Sequence, residues 1–365
     1  MAEVVRLGIA GAGPIGYATA ALAMQGGHGA VLLSPSGGAG ARIAADQGLE
    51  AAGAIAGRFH PGAARDAADL VARADVLVIA VPGYGHKAVM DALAPHIRDG
   101  QPVIVSSQSS FGPLYLGDLL ARRGIHAPIV AWSTTATTAR SPAPGRVQVV
   151  SLRARIDICV LPEAETPAML ALCERLFGAR FHLCDGLLAI TLSNLNPQNH
   201  LGIALCNFTR MERGETWSQN LNVTPGVGRL LEALDAERLA IAGALGLGVR
   251  TLFDHLHLSY HLPVGDTVAG MFAAMEPAGL GHNGPATADS RYVTEDVPFG
   301  LLPIELLGAL TGHPARLHTA GIDSFSAIYG RDFRAENPFL STLGLEGMTL
   351  PDLQAAARRG HLQGG

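Results

Sequence analysis

Three short segments hold the residue types and spacings that could do chemistry. Gly11-Ala12-Gly13-Pro14-Ile15-Gly16 reads G-x-G-x-x-G, residues 193–200 read SNLNPQNH, and residues 291–300 read RYVTEDVPFG. The first suits a dinucleotide. Its first glycine allows a tight turn, its second lets backbone approach a pyrophosphate, and its third lets a helix pack on the preceding strand. The N–H groups and positive dipole end of that helix then face the phosphates. In the second segment, asparagines, a glutamine and a histidine interrupt an apolar helical pattern, where they are costly unless they face a cavity or a ligand. The third concentrates charge in a chain that is only 16% charged. A histidine oriented by a carboxylate moves protons near neutral pH. At this point a polar histidine satisfied inside the core is an equal reading of His200.

An NAD site usually carries Asp or Glu at the end of the second strand, ~20 residues beyond the glycines, for the ribose hydroxyls. Here that stretch is LLSPSGGAGAR, with no acidic residue between Glu3 and Asp46. Ser34 and Ser36 could donate to a 2′-phosphate and Arg42 could supply charge, so NADP(H) is favoured and NAD(H) is the second choice. The bland reading is a surface turn with an exposed arginine. Val81-Pro82-Gly83 ends the strongest strand pattern, residues 75–82, and ligands of open sheets bind at such ends. His86 and Lys87, the only lysine, either reach phosphates there or simply begin a helix. Asp254, His255, His257 and His261 form D-H-x-H-x-x-x-H. That run lacks H-E-x-x-H, and residues 255 and 257 point apart on a helix, so packing explains it better and no metal is expected. No G-x-S-x-G elbow supplies a hydrolase nucleophile.

These segments need elements to hold them. At ~100–200 residues per domain, a chain of 365 residues suggests two. Residues 1–185 alternate strand patterns (4–10, 30–34, 75–82, 102–106, 128–132) with helical ones (15–24, 39–47, 86–97), as a parallel sheet requires. A loop is expected over 133–145, then a hairpin or edge pair from 147–152 and 156–161. Over 186–365 helical patterns dominate, at 187–213, 228–245, 250–260, 266–275, 301–310 and 315–329. The expected fold class is an α/β N-terminal Rossmann domain, a doubly wound parallel sheet over 1–185, followed by an all-α C-terminal domain over 186–365. A hydrophobic fraction of 48% with low charge excludes disorder. A net charge of -5 gives no footprint for nucleic acid or an anionic membrane. The apolar stretch 7–33 carries too many glycines for a membrane helix and lacks a preceding charged run. Four cysteines without C-x-x-C read as reduced thiols in a cytoplasmic protein. The apolar helical half would serve a homodimer or an ordinary core, and the tail from Ala355 is expected to fray.

GAGPIG, VPGYGH, NLNPQNH, RYVTEDVPFGLLP and the late GIDSFSAIYGRDF and NPFLSTLGL together resemble the opine dehydrogenase family. This is the octopine/nopaline dehydrogenase group, with the bacterial carboxyethyl amino-acid dehydrogenases. The resemblance spans nearly the whole chain. Its glycine motif is generic to dinucleotide folds, whereas N-x-N…H and R-Y-x-x-E-D-x-P in this order are specific. It implies a Rossmann domain joined to a helical one, and reductive condensation of a keto acid with the amino group of an amino acid by a reduced nicotinamide cofactor. It also implies that His200 is the catalytic histidine and Asp296 the aspartate that supports it. Asn196, four residues before His200, shares its helix face, and the resemblance puts its amide near nicotinamide or substrate. Both substrates carry carboxylates, so an arginine clamp is expected: Arg291 ahead of Arg210 and Arg213, with Asn199 a further substrate contact. The Ser-rich second strand departs from the family pattern. Rival readings are a ketopantoate-reductase-like enzyme, which typically uses a lysine in its helical domain, and a non-catalytic nucleotide-sensing protein.

Overall fold

The computed structural model describes residues 3–34 and 48–362, which divide into two compact units. One contains residues up to Ile190 together with those from Pro351 onward, and the other is Thr191–Leu350. The helix expected at 39–47, with Ser36 and Arg42, lies outside the described residues.

The first unit is built on an eight-stranded sheet. From edge to edge its strands are Phe181–Leu183, Ile156–Leu161, Ile129–Trp132, Val103–Val105, Val76–Ile79, Arg6–Ala10, Gly29–Leu33 and Gly62–Ala63. All neighbours run parallel except Ile156–Leu161 against Ile129–Trp132. Wholly buried runs such as VLVI at Val76–Ile79 are what a sheet covered on both faces demands. Arg6–Ala10 lies between Gly29–Leu33 and Val76–Ile79, so the winding reverses there, and the strand ends at such a switch point open onto a ligand crevice.

Two expectations for this half are corrected. Residues 147–152 and 156–161 do not pair with each other. Arg146–Leu152 joins a separate four-stranded sheet in the order Gly57–Phe59, Leu49–Gly53, Arg146–Leu152, Thr137–Ala143, while Ile156–Leu161 enters the main sheet. Much of the expected loop is thus the edge strand Thr137–Ala143, where Pro142 is tolerated because an edge leaves its missing N–H unused. Residues 355–362, expected to fray, are also ordered. Helix Leu350–Arg359 buries Leu353, Ala356 and Ala357, and a Cβ on Gly117 would lie 1.8 Å from the Gly360 carbonyl oxygen. That backbone contact groups the last helix with the first unit, although in sequence it follows the helical half.

The second unit contains helices Asn196–Cys206, Phe208–Glu212, Pro225–Ala244, Leu252–Tyr260, Val268–Met275, Arg291–Thr294, Leu302–Thr311, Arg316–Tyr329 and Pro338–Thr342. The helical pattern over 187–213 resolves into separate helices. Pro197 stands in the first turn of Asn196–Cys206, the position where a missing N–H costs nothing. Fully buried Arg238 organises the interior. It donates to Asp235 and to the carbonyls of Leu192 and Arg250, while Asp235 also accepts from Gln198 and from the Leu252 N–H. Among the described residues no helix is long and apolar enough to cross a membrane.

Candidate active site

The first unit carries the dinucleotide motif where the sequence places it, between strand Arg6–Ala10 and helix Pro14–Gln25. Gly11 has φ +133°, and a Cβ there would meet the Ala80 carbonyl oxygen at 2.3 Å. A Cβ on Gly16 would lie 1.8 Å from the Gly11 oxygen, whereas one on Gly13 would meet nothing within 4 Å. Packing therefore requires two of the glycines, and the third is small toward open space, as a pyrophosphate cradle needs. A pocket of about 820 Å³ opens there, walled by Gly11, Ala12, Gly13, Ser34, Val81 and Pro82 among others. Pro14, Ile15 and Gly16 begin the helix and are not among its walls.

Gly13→Ala should keep the wild-type melting temperature and weaken dinucleotide affinity about tenfold or more. Gly16→Ala should cost roughly 1–3 kcal/mol of stability through overpacking. Thermal unfolding and fluorescence titration with NADPH separate the two, and equal effects on both readouts would contradict the assignment.

The pocket also includes Arg65 and Asp66, which sequence reasoning missed. Arg65 extends from the loop after edge strand Gly62–Ala63, its side chain 84% exposed, and bonds Asp69 at 3.2 Å. The Asp66 carboxylate caps helix Ala67–Ala72 by accepting from the Asp69 N–H at 2.8 Å. An Asp directly before a helical stretch was the available signal. His86 and Lys87 have structural partners. The buried His86 bonds the Val81 carbonyl through Nε2 at 3.0 Å, and Lys87 pairs with Asp91 at 2.7 Å above the Tyr115 ring.

In the second unit, His200 and Asp296, 96 residues apart in sequence, come together at 2.5 Å between Nδ1 and Oδ2. Gly300 makes this approach possible. A Cβ there would fall 2.2 Å from Pro197 Cγ, so a larger residue would push the Asp296 segment off the helix that carries His200. Asp296 stands directly before a π-helical turn, Val297–Leu301, whose Pro298 carbonyl accepts from the buried Asn337 amide at 2.7 Å. Each side chain of the pair is 20% exposed, so the pair is sheltered yet reachable. A carboxylate can only accept, so Nδ1 is the donor and Nε2 is left to exchange protons.

The imidazole also stacks on Tyr292, with ring centroids 3.5 Å apart and planes 11° from parallel. The Tyr292 hydroxyl donates to Gln219 Oε1 at 2.7 Å. Burial, aided by the Asp296 charge, pushes this phenol up to about 12, so the ring stays neutral at physiological pH. Neither Tyr292 nor Gln219 was singled out by sequence. The i, i+4 spacing of Tyr292 and Asp296 repeats that of Asn196 and His200 and was the readable signal.

Asn196 is exposed in the first turn of the helix, on the His200 face, while Asn199 is 7% exposed with its Oδ1 buried and unbonded. Arg291 is 71% exposed and bonds Glu295. Arg210 pairs with Glu215 at 3.4 Å, and Arg213 is exposed. In the histidine-rich run, Asp254 closes a capping box with Thr251 and His257 bonds the Leu262 carbonyl. Among the described residues no three His, Cys, Asp or Glu side chains form a group that could hold a metal.

Comparison with known proteins adds to this geometry. Residues 183–329 match the family model "NAD/NADP octopine/nopaline dehydrogenase, alpha-helical domain", and residues 6–107 match "NADP oxidoreductase coenzyme F420-dependent". The opine dehydrogenase of Arthrobacter sp. (strain 1C) is 32% identical over 309 residues, 83% of this chain and 84% of that protein. Octopine dehydrogenase solved with NADH and L-arginine superposes with a TM-score of 0.80 at 17% identity, over 97% of this chain and 98% of that one. Yersinopine dehydrogenase with NADP+ gives 0.65 at 17% identity, over 98% of each. The solved structures establish the shared fold, and the curated relative establishes kinship. The chain belongs to the opine dehydrogenase family, nicotinamide-dinucleotide oxidoreductases that act on CH–NH bonds.

Proposed function

We propose that this protein condenses an α-keto acid such as pyruvate with the amino group of an amino acid, reduces the product to a secondary-amine dicarboxylate, and runs the reverse reaction. The observation that carries the reading is the 2.5 Å His200–Asp296 pair within the region that matches the family's helical domain. The bound reduced dinucleotide supplies a hydride; this chain's side chains manage protons and carboxylates. Asp296 fixes the Nδ1–H tautomer and stabilises the imidazolium. The imidazolium then donates its Nε2 proton to the hydroxyl left on the former keto carbon after amine addition. That hydroxyl departs as water while the nitrogen lone pair forms the C=N bond. Hydride addition at the carbon gives the amine, and His200 regains its proton from solvent, so each turnover consumes one proton and releases one water.

Arg291 is assigned to a substrate carboxylate. Its bond to Glu295 is an exposed ion pair, which exchanges cheaply. Asn196 offers an amide on the His200 face to substrate or nicotinamide, and the unbonded Asn199 Oδ1 can accept from a substrate N–H. The keto-acid-reductase alternative needs a lysine in the helical half, but the only lysine, Lys87, lies in the first unit and is paired with Asp91. A nucleotide sensor would have no need of the sheltered His–Asp pair. Initial rates of NADPH and NADH consumption across pairs of keto acids and amino acids test the proposal. Consumption should require both partners, and activity with the keto acid alone would overturn it.

NADP(H) is the preferred cofactor in this proposal. Ser34, directly after strand Gly29–Leu33, is a pocket wall at the position where an NAD site usually carries a carboxylate, and Arg65 lies on the same pocket beside Asp66, whose carboxylate accepts from the Asp69 N–H. The assigned Ser36 and Arg42 lie outside the described residues. kcat/KM should favour NADPH about tenfold or more, the worth of one charge-assisted hydrogen bond. Ser34→Asp should reverse that order; a wild-type preference for NADH would contradict it. The four cysteines are free, which supports a cytoplasmic setting.

A further inference from the structure

We infer that Tyr292 is a positioning residue that holds the His200 ring by its face and favours the imidazolium, with Gln219 as its anchor. The inference rests on the acid role proposed for His200. Two neutral aromatic rings avoid a face-to-face sandwich because their negative faces repel, and they settle edge-on or offset at ~4.5–7 Å. Aromatic pairs elsewhere in this unit obey that rule. Phe208–Tyr329 and Tyr329–Phe333 both lie at 5.6 Å, with planes at 62° and 68°. His200 and Tyr292 break it, at 3.5 Å and 11°. A positive charge on the imidazole removes the conflict, because a cation is attracted to the face of a neutral aromatic ring. Asp296 thus meets the imidazole at its edge and Tyr292 at its face.

Tyr292 is held against sliding. Gln219 is 5% exposed, and its N–H donates to the His282 carbonyl at 2.9 Å. Beside it Ser218 pairs with Asn283, the Gly284 N–H bonds the Trp217 carbonyl at 3.0 Å, and the Trp217 indole N–H bonds the Pro285 carbonyl at 3.0 Å. This clip fixes the phenol oxygen, and the phenol ring covers one face of the imidazole. Proton transfer is then confined to the ring edge at Nε2.

Other charges on the elements packed against helix Asn196–Cys206 have partners of their own. Glu295 is bound to Arg291, Asp235 to Arg238, Glu237 to His318, Arg210 to Glu215, and Asp323 to Arg334. Arg316, Glu212 and Arg229 are further charges on those helices, as is Glu232, which accepts from the Val268 N–H at 2.8 Å, and Tyr260 acts electrostatically on Tyr292. Asp296 bonds the imidazole edge and Tyr292 stacks on its face.

The test is the titration of the His200 ring carbon by NMR in full-length protein with 13C-labelled histidine, assigned by its loss in His200→Gln. Tyr292→Leu should lower the midpoint by roughly one pH unit, and Tyr292→Phe, which keeps the ring but loses the bond to Gln219, should lower it by less. Merely structural packing predicts the opposite sign, because water admitted by the smaller side chain solvates and favours the charged ring. Pentafluorophenylalanine at position 292 keeps the shape, reverses the charge of the ring face, and should also lower the midpoint. It decides the matter if the leucine variant does not fold. An unchanged or raised midpoint overturns the inference. The measurement needs no substrate, so it fails independently of the proposed function, which fails if wild-type protein consumes no NADPH with any substrate pair.

Discussion

His200→Ala is expected to lower turnover by about 10²–10⁴-fold, the range for loss of a positioned general acid, while NADPH affinity stays near wild type. The two effects separate because the dinucleotide motif is held within the first unit by Gly11, Gly16 and the strand ends, while His200 is held within the second by its own helix and Asp296. Asp296→Asn should fall by a comparable factor for a different reason. An amide in place of the carboxylate can present its NH₂ to Nδ1, and that contact selects the wrong imidazole tautomer without changing the shape of the site. Steady-state kinetics in the reductive direction, with NADPH binding followed by fluorescence, checks both. Near wild-type turnover in either variant would remove the pair from the chemistry.

Arg238→Ala is expected to cost about 3–5 kcal/mol of stability, because it leaves a buried carboxylate without its partner. Arg238 is 0% exposed and is the cation paired with Asp235, whose carboxylate also accepts from Gln198 and the Leu252 N–H. Its loss also strands the carbonyls of Leu192 and Arg250. Asp235 bonds Gln198, two positions before His200, so a partly folded variant should also be impaired in turnover. The double replacement Arg238→Met with Asp235→Leu should recover much of the stability, since no charge is then buried alone. Urea unfolding of the single and double variants is the check. A loss below about 1 kcal/mol in Arg238→Ala, the scale of a surface pair, would contradict the buried-network account.

How much of this was legible in the sequence varied with the range of the interactions. The main sheet was readable because its strands are short apolar runs such as Val76–Ile79, and the glycine motif follows Arg6–Ala10 directly. Those signals are local. The second sheet was not readable. It pairs Leu49–Gly53 with Arg146–Leu152 across a long stretch of chain, and the alternating burial of Thr137–Ala143, with two prolines nearby, imitates a loop. The helix Leu350–Arg359 carries no mark of belonging to the first unit, since its close approach there, Gly360 against Gly117 and Leu161, is distant in sequence. Within the site, His200, Asp296 and Arg291 stood out because ionised groups are rare in this chain. Tyr292 and Gln219 did not stand out, because a neutral ring and an amide resemble ordinary packing until their partners are known.

Condensation of two substrates is tested most directly by the identity of the product. Protein incubated with NADPH, pyruvate and an amino acid should form a compound with the mass of both substrates less one water plus two hydrogens. Deuteride supplied from labelled NADPH should appear on the carbon that was the pyruvate carbonyl. Formation of lactate at the same rate with or without the amino acid would contradict the account.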